Sequence, residues 1–199
     1  MIGKIRLVTE ADAADVQAIY EPYVRETAIS CELEPPTVGE MQRRIRETLA
    51  LMPWLVYETA AGQVAGYAYA HKFRERAAYQ WSVEVSAYVD ARLHRSGIGR
   101  GLYTSLFALL YLQGFCNIYA GITLPNAKSV GLHQAMGFQQ AGVYPHVGYK
   151  LGRWHDVSQW CLLLPGPLDP PPPPRPLAAV VKTPEWELEI NRGLPLIKV

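Results

Sequence analysis

Trp81 to Gly101 reads WSVEVSAYVDARLHRSGIGRG, and this stretch decides the fold. Its first half alternates strictly: Trp81, Val83, Val85, Ala87 and Val89 fall on one face of a strand, with Ser82, Glu84, Ser86 and Tyr88 on the other. Its second half is a basic, glycine-bearing turn that leads into an amphipathic helix, predicted from about Ile98 to Gln113. Leu102, Leu106, Leu109 and Leu110 give that helix its apolar side, and Gly114 is a natural stop. Strand, basic Gly-rich turn and helix start together expose several backbone N–H groups to a phosphate. Glu84 lies a short step upstream on the same strand. An anion cradle and a carboxylate on one continuous element point to a phosphate-bearing cofactor delivered to a general base.

Composition sets the frame for that reading. The chain has 199 residues, 49% of them hydrophobic, which suits one globular domain with a tail. A formal net charge of +1 provides no field for nucleic acid or an anionic membrane, so Arg92, Arg95 and Arg100 read as a local site feature. Three cysteines without paired spacing argue against a disulfide framework or a zinc site, and no metal is expected. The start, MIGKIRLVTEADAADV, has no apolar signal-peptide core, and no run approaches a membrane span. The expected compartment is the cytoplasm.

Upstream of the central stretch, Lys4 to Val8 is a strand candidate. Thr9 then offers an N-cap, and Val16, Ile19, Tyr20 and Tyr23 form a helical stripe. After a loop from Thr27 to Pro36, Thr37 and Glu40 form a capping box for a second helix with Met41, Ile45 and Leu49 inside. Trp54 to Thr59 and Gln63 to Ala70 form a hairpin around Ala-Ala-Gly, and His71 to Ala78 is a charged loop. Downstream, Cys116 to Ile122 is a strand beyond the long helix, which implies a parallel, right-handed crossover. A short helix from about Ala127 to Met136 is closed by Gly137. Phe138 to Val143 and Val157 to Leu163 are the last strands, with a Gly/Pro/His/Tyr loop between them. From Pro165, PGPLDPPPPPRP is expected to be extended polyproline, and W-E-L-E-I beyond it could pack as a strand against the body or a partner. The expected organisation is a domain over residues 1–164 and a proline-rich extension over 165–199.

H-R-S-G-I-G, His94 to Gly99, resembles the R/Q-x-x-G-x-G/A pyrophosphate loop of the GNAT superfamily of N-acetyltransferases. A-Y-Q-W (Ala78 to Trp81), L-P-N (Leu124 to Asn126), H-Q-A-M-G-F (His133 to Phe138) and W-H-D-V (Trp154 to Val157) resemble its phosphinothricin N-acetyltransferase branch. In register from Ile5 to about Leu164, they carry far more weight than the loop alone. The resemblance implies an α/β (α+β) GNAT fold: a mixed, twisted central sheet of about seven strands flanked by helices and splayed at the central cofactor-binding strand. It also implies acetyl-CoA as co-substrate, a small-molecule amine acceptor and a homodimer, with Tyr144, Tyr149 and Trp154 suited to an interface that shapes the pocket.

Acetyl transfer from a thioester to an amine requires that the cofactor's pyrophosphate be held, the thioester carbonyl polarised and the substrate ammonium deprotonated. For the first, the peptide N–H groups of Arg95, Ser96, Gly97, Ile98, Gly99 and Arg100 sit at a helix start, where the dipole adds about 0.3–1 kcal/mol. The family carries Gln or Arg where this chain has His94, a departure that a backbone-binding loop tolerates. For the second, the resemblance assigns backbone groups of Ala87, Tyr88 and Val89, and Asn126 matches the family's cofactor-contacting Asn. For the third, Glu84 matches the branch's general base. His133, seven residues past Asn126, stands where many relatives carry a Tyr proposed to protonate the leaving thiolate. Arg74, Arg76 and Tyr79 match positions presented to the acceptor's acid groups, where arginine suits bidentate anion binding. His155 is a weaker acceptor-site candidate. Cys31 replaces an aromatic that the herbicide-active relatives place against the substrate, which changes the pocket volume.

Each residue also has a plainer reading. Glu84 is a solvated strand residue, Asn126 an ordinary N-cap, His133 a helix-face histidine with a structural hydrogen bond, and Cys31 a small buried side chain. The whole pattern favours an acetyl-CoA-dependent N-acetyltransferase acting on the α-amine of a small amino-acid-like acid of the phosphinothricin or methionine sulfone/sulfoximine type. Transfer is direct, with Glu84 as base. A same-fold enzyme acting on a polyamine, an antibiotic or a protein N-terminus would need acidic rather than arginine-bearing acceptor walls. A non-catalytic acyl-CoA sensor would not need Glu84 and His133 together.

Overall fold

The computed structural model describes residues 3–165 and 169–199. Strands β1 (Lys4–Leu7), β2 (Trp54–Glu58), β3 (Val64–Lys72), β4 (Ser82–Val89), β5 (Asn117–Thr123), β6 (Gln139–Lys150) and β7 (Arg153–Leu163) form one mixed sheet in the order β1-β2-β3-β4-β5-β7-β6. The alternation at 81–89 sets its centre. Val83 and Val85 are buried against helix α3 (Ile98–Gln113), while Tyr88 packs on the opposite face beneath α1 (Ala13–Glu26) and α2 (Val38–Leu49). Two cores result, one per face. Leu102, Leu106 and Leu109 of α3 fill the first, and Val16, Met41 and Ile45 fill the second.

The helices begin and end where local chemistry requires. Thr37 accepts from the Glu40 N–H at 3.1 Å to cap α2, and Gly114 ends α3 in a left-handed conformation (φ 97°). α3 carries the chain from β4 to β5, which pair in parallel over only three positions: Ser82 with Asn117, Val83 with Ile118 and Glu84 with Tyr119. Beyond Glu84 the two strands part, which is the expected splay. α4 (Ala127–Ala135) follows β5 and closes at Gly137.

Two expectations are corrected. The segment read as a loop between the last strands is a long hairpin: β6 runs to Lys150, and β7 starts at Arg153. Its turn, Leu151-Gly152, has positive φ at both central residues, as a two-residue hairpin turn requires. Pro145 is accommodated because β6 is the sheet edge and its register with β7 shifts between Tyr144 and Gly148. The W-E-L-E-I segment is also not a strand. Thr183 and Pro184 start helix α6 (Pro184–Asn191), which buries Trp186 and Ile190 at i,i+4 spacing and leaves Leu188 exposed. With the short helix α5 (Leu177–Val180), it joins the α3 core through Leu177, Val180, Trp186 and Ile190. Of the proline-rich stretch, residues 166–168 lie outside the described residues, and 171–176 carry neither helix nor strand. Among the described residues no helix is long and apolar enough to cross a membrane.

Candidate active site

The turn between β4 and α3 is held by its own side chains. Asp90 accepts from the Arg92 N–H at 2.9 Å and pairs with its guanidinium at 2.6 Å, so Arg92 is engaged locally. Ser96 Oγ donates to the Leu93 carbonyl at 2.6 Å. Arg95 and Gly97 both adopt left-handed backbone, with φ of 66° and 84°. Such residues ahead of a helix N-terminus make a concavity of N–H groups suited to an anion. His94 is also anchored. The Tyr23 hydroxyl gives its hydrogen to the Val89 carbonyl at 2.6 Å, so His94 Nε2, 3.0 Å from that hydroxyl, is the donor to it.

This turn forms one end of a cleft of about 500 Å³ between the outer half of β4, β5, α3 and α4. Backbone phase decides what β4 offers to it. The Asp90 N–H donates to Ala65 of β3, whereas Asn117 of β5 donates to the carbonyl of Trp81. With a period of two, the N–H groups of Ala87 and Val89 therefore face the gap beside β5, and that of Tyr88 faces β3. Of the three backbone groups expected to face the cofactor, that of Tyr88 is therefore turned away, and its side chain packs among Tyr20, Tyr23 and Tyr67. A Cβ placed on Gly99 would lie 3.4 Å from Leu132 and 3.8 Å from Val89, both of which line the cleft, so position 99 opens onto it. Arg95 and Arg100 line the same end.

The other end is set by α4. Asn126 Oδ1 accepts from the Ser129 N–H at 3.1 Å, so Asn126 is the N-cap as well as a lining residue. His133 is buried, with Nδ1 2.8 Å from the Ser129 carbonyl and Nε2 3.4 Å from the Tyr103 hydroxyl. A carbonyl only accepts, so Nδ1 carries the hydrogen and neutral Nε2 faces Tyr103 as an acceptor. Burial draws the imidazole below its ordinary pKa, against the opposing hydrogen bond to Ser129. Tyr103 lines the cleft, and burial raises its hydroxyl pKa. Sequence reasoning missed Tyr103, although it lies four residues past Gly99 and helical period places both on one side of α3. It missed Lys128 too, which also lines the cleft.

Glu84 lies on the opposite face of the sheet. Its Oε1 stands 3.4 Å from where a Cβ on Gly121 of β5 would be, so glycine there leaves room for the carboxylate. Among the described residues Glu84 has no recorded hydrogen bond or ion pair. Beside it on β5, Tyr119 stacks on Phe73 (4.2 Å between centroids), the Arg74 guanidinium lies 4.3 Å over the Phe73 ring, and Tyr79 meets that ring edge-on. Phe73 and Tyr119, which composition does not mark, thus bring Arg74 and Tyr79 toward the face that holds Glu84. Arg76 lines a separate groove with Arg74, Tyr79 and Arg175. At the other end of β5, Cys31 is exposed with Sγ 3.8 Å from Thr123 Oγ1, and Thr123 lines the cleft. Lys150, another residue missed from sequence, is buried and donates from Nζ to the Ser30 carbonyl at 2.7 Å, tying the Cys31 loop to the hairpin. His155 is buried inside that hairpin and donates from Nε2 to the Lys150 carbonyl at 3.0 Å. The structure does not bring it to the cleft.

Residues 5–158 match the family described as Acetyltransferase (GNAT) domain, and the chain belongs to that family. It is an N-acetyltransferase. It is 40% identical to the phosphinothricin N-acetyltransferase of Streptomyces viridochromogenes over 179 residues, which cover 90% of this chain and 95% of that one. It is 34% identical to the L-methionine sulfoximine/L-methionine sulfone acetyltransferase of Pseudomonas aeruginosa, covering 79% of this chain and 92% of that enzyme. The crystal structure of a GNAT superfamily phosphinothricin acetyltransferase from Sinorhizobium meliloti in complex with acetyl-CoA superposes with a TM-score of 0.78 at 32% identity. That match covers 82% of this chain and 89% of the other.

Proposed function

We propose that the chain transfers the acetyl group of acetyl-CoA directly to the α-amine of a small amino-acid-like acid of the phosphinothricin or methionine sulfone/sulfoximine type. One observation carries this reading. β4 and β5 part immediately after Glu84, so the sheet has an opening with the phosphate-suited cleft on one face and a carboxylate on the other. The cleft fits the co-substrate: it has left-handed residues ahead of a helix start, a glycine opening inward at 99, and Arg95, Arg100 and Lys128 on its walls. Bound there, acetyl-CoA supplies the acetyl thioester.

The chain's own residues supply the rest. Glu84 accepts a proton from the acceptor's ammonium, directly or through water, and the freed amine forms the N–C bond as the C–S bond breaks. The N–H groups of Ala87 and Val89 offer hydrogen bonds to the carbonyl oxygen, each typically worth about 2.7–4 kcal/mol when aimed at a developing oxyanion. The thiolate needs a proton, and we assign it to the Tyr103 hydroxyl, which turns from His133 Nε2 to give it; the second proton of the amine nitrogen, lost as the amide forms, restores Tyr103 through solvent. Arg74 and Tyr79, held by Phe73 on the side of Glu84, receive the acceptor's acid groups. The hairpin supports a homodimer, because Tyr144, Tyr149 and Trp154 are each more than half exposed.

A thiol-release assay with acetyl-CoA tests the whole reading across amino acids, phosphinothricin, methionine sulfone, methionine sulfoximine and polyamines. Turnover of the sulfone, sulfoximine or phosphinothricin without polyamine turnover is expected. The reverse preference would refute the acceptor assignment.

A further inference from the structure

The C-terminal segment runs the length of α3. At one end Trp81 Nε1 donates to the Pro172 carbonyl at 2.7 Å, the Arg175 N–H donates to the Gln113 carbonyl at 2.7 Å, and Gln113 Nε2 returns a bond to the Arg175 carbonyl at 2.9 Å. α5 and α6 then bury four apolar side chains beside α3. Past α6, the chain descends a row of small residues on α3 and its entry turn: Ser105, Gly101 and Gly97, spaced four apart. The Gly193 N–H donates to the buried Ser105 Oγ at 3.0 Å. Gly193 lies against Gly101 so closely that a Cβ on either would collide with the other's carbonyl. A Cβ on Gly97 would likewise run into the Leu196 carbonyl. Finally, the Lys198 N–H donates to the Ser96 carbonyl at 2.8 Å.

That last bond falls on the peptide that matters. The Ser96 carbonyl and the Gly97 N–H belong to one planar trans peptide and point in opposite directions. Holding the carbonyl from the tail side therefore fixes the direction in which the Gly97 N–H is offered, and Gly97 lines the cleft on its other side. We infer that residues 193–198 are a positioning segment of the coenzyme site, pre-orienting the 95–100 turn from behind and so setting affinity for acetyl-CoA. The inference rests on the proposed reading of that turn as the pyrophosphate site. It assigns the segment no contact with the reacting atoms, so its effect belongs to binding and not to the chemical step.

A chain ending at Arg192 and the variant Lys198→Pro test it. The first removes the whole segment and keeps α6. The second deletes one backbone N–H, at a residue preceded by extended backbone that tolerates a following proline. Calorimetry with acetyl-CoA should show about a tenfold rise in Kd for either, the scale of one hydrogen bond plus the lost ordering. kcat at saturating acetyl-CoA should stay within about twofold. Amide exchange at residues 96–99, measured without acetyl-CoA, should accelerate in both. Lys198→Ala keeps the N–H and should bind as wild type. If it weakens binding as much as Lys198→Pro, the side chain rather than the peptide bond is responsible and the inference fails. Unchanged Kd and unchanged exchange in folded Lys198→Pro would also overturn it. Gly99→Glu separates the underlying reading, because it places a carboxylate in the cleft without meeting the tail. If Gly99→Glu abolishes binding while the tail variants bind normally, the turn is the coenzyme site and only the positioning role falls. If Gly99→Glu binds normally, the site reading itself is wrong.

Discussion

Glu84→Gln is the substitution that most directly separates chemistry from architecture. The two side chains have nearly the same shape, Gly121 leaves space beside Oε1, and Glu84 has no recorded partner among the described residues. Nothing in the packing is lost, so stability should move by no more than about 0.5 kcal/mol, as for a surface change. The loss should fall on kcat. A general base contributes roughly 10²–10⁴-fold, so a fall of about 10²-fold or more is expected, equivalent to about 2.7 kcal/mol of barrier. Acetyl-CoA affinity should hold, because the carboxylate lies across the sheet from the turn at 95–100. The pH profile supplies an independent test. Without a base, the rate depends on amine that is already neutral, so activity should climb toward alkaline pH until the amine's own pKa is passed. Initial rates from pH 6 to 10, with a melting curve at each end, measure all three effects. A variant with wild-type kcat, or one whose lost activity tracks a lowered Tm, would refute Glu84 as base.

The other predictions concern the core, the cleft and the acceptor. Trp186→Ala should cost about 3–5 kcal/mol as a cavity mutation, lowering Tm by about 2–4 °C for each kcal/mol; an unchanged Tm would mean α6 does not belong to the α3 core. His133 has a folded-state pKa depressed by burial, so its contribution to stability is full above its ordinary value of about 6.5 and is lost as pH falls from there toward the folded-state pKa. His133→Asn should flatten stability over that range, as read by denaturant melts. Arg74→Ala should raise KM for every acidic acceptor, whereas Cys31→Phe should lower KM for phosphinothricin through at most about 1.5–3 kcal/mol of added burial, with kcat little changed. No KM response to either would place the acceptor elsewhere. Light scattering should find a dimer that Trp154→Glu dissociates.

How far the sequence could be read followed from whether a segment's physics is local. At 81–113 the period changes from two to 3.6 across a single turn, so strand, loop and helix were all legible, including both ends of α3. The first part of β6, to Val143, was legible too, but its continuation to Lys150 was not, because an edge strand exposed on both faces has no alternation to display, and the Pro and Gly of its irregular register read as loop. W-E-L-E-I was misread for the opposite reason. Its apolar residues alternate, and only the tertiary environment shows that Leu188 faces solvent while Trp186 and Ile190 face α3. The site divides in the same way. The turn at 95–100 is backbone geometry written into Gly97 and Gly99, whereas the placing of Arg74 depends on Phe73 stacking across to Tyr119, a contact between separate elements.

Gly97 and Gly101 show how two constraints can share one residue. A left-handed turn before a helix accounts for Gly97, so the loop motif alone is a sufficient reason for glycine there. The same position also lies under the Leu196 carbonyl, which makes any substitution at 97 a change to the tail as well as to the turn. Gly99→Glu therefore probes the cleft, whereas Gly97→Glu would disturb tail and cleft together. Gly101 carries the stronger argument. It lies inside α3, where glycine is unfavourable by about 0.8–1.0 kcal/mol relative to alanine, and the anion turn has no use for it. Its structural reasons on view are both in the tail, the Gly193 backbone and the Ile197 side chain, which no side chain at 101 would let approach. The helix at the edge of the cleft is thus shaped on its far side to receive the tail, which is what the proposed positioning role requires.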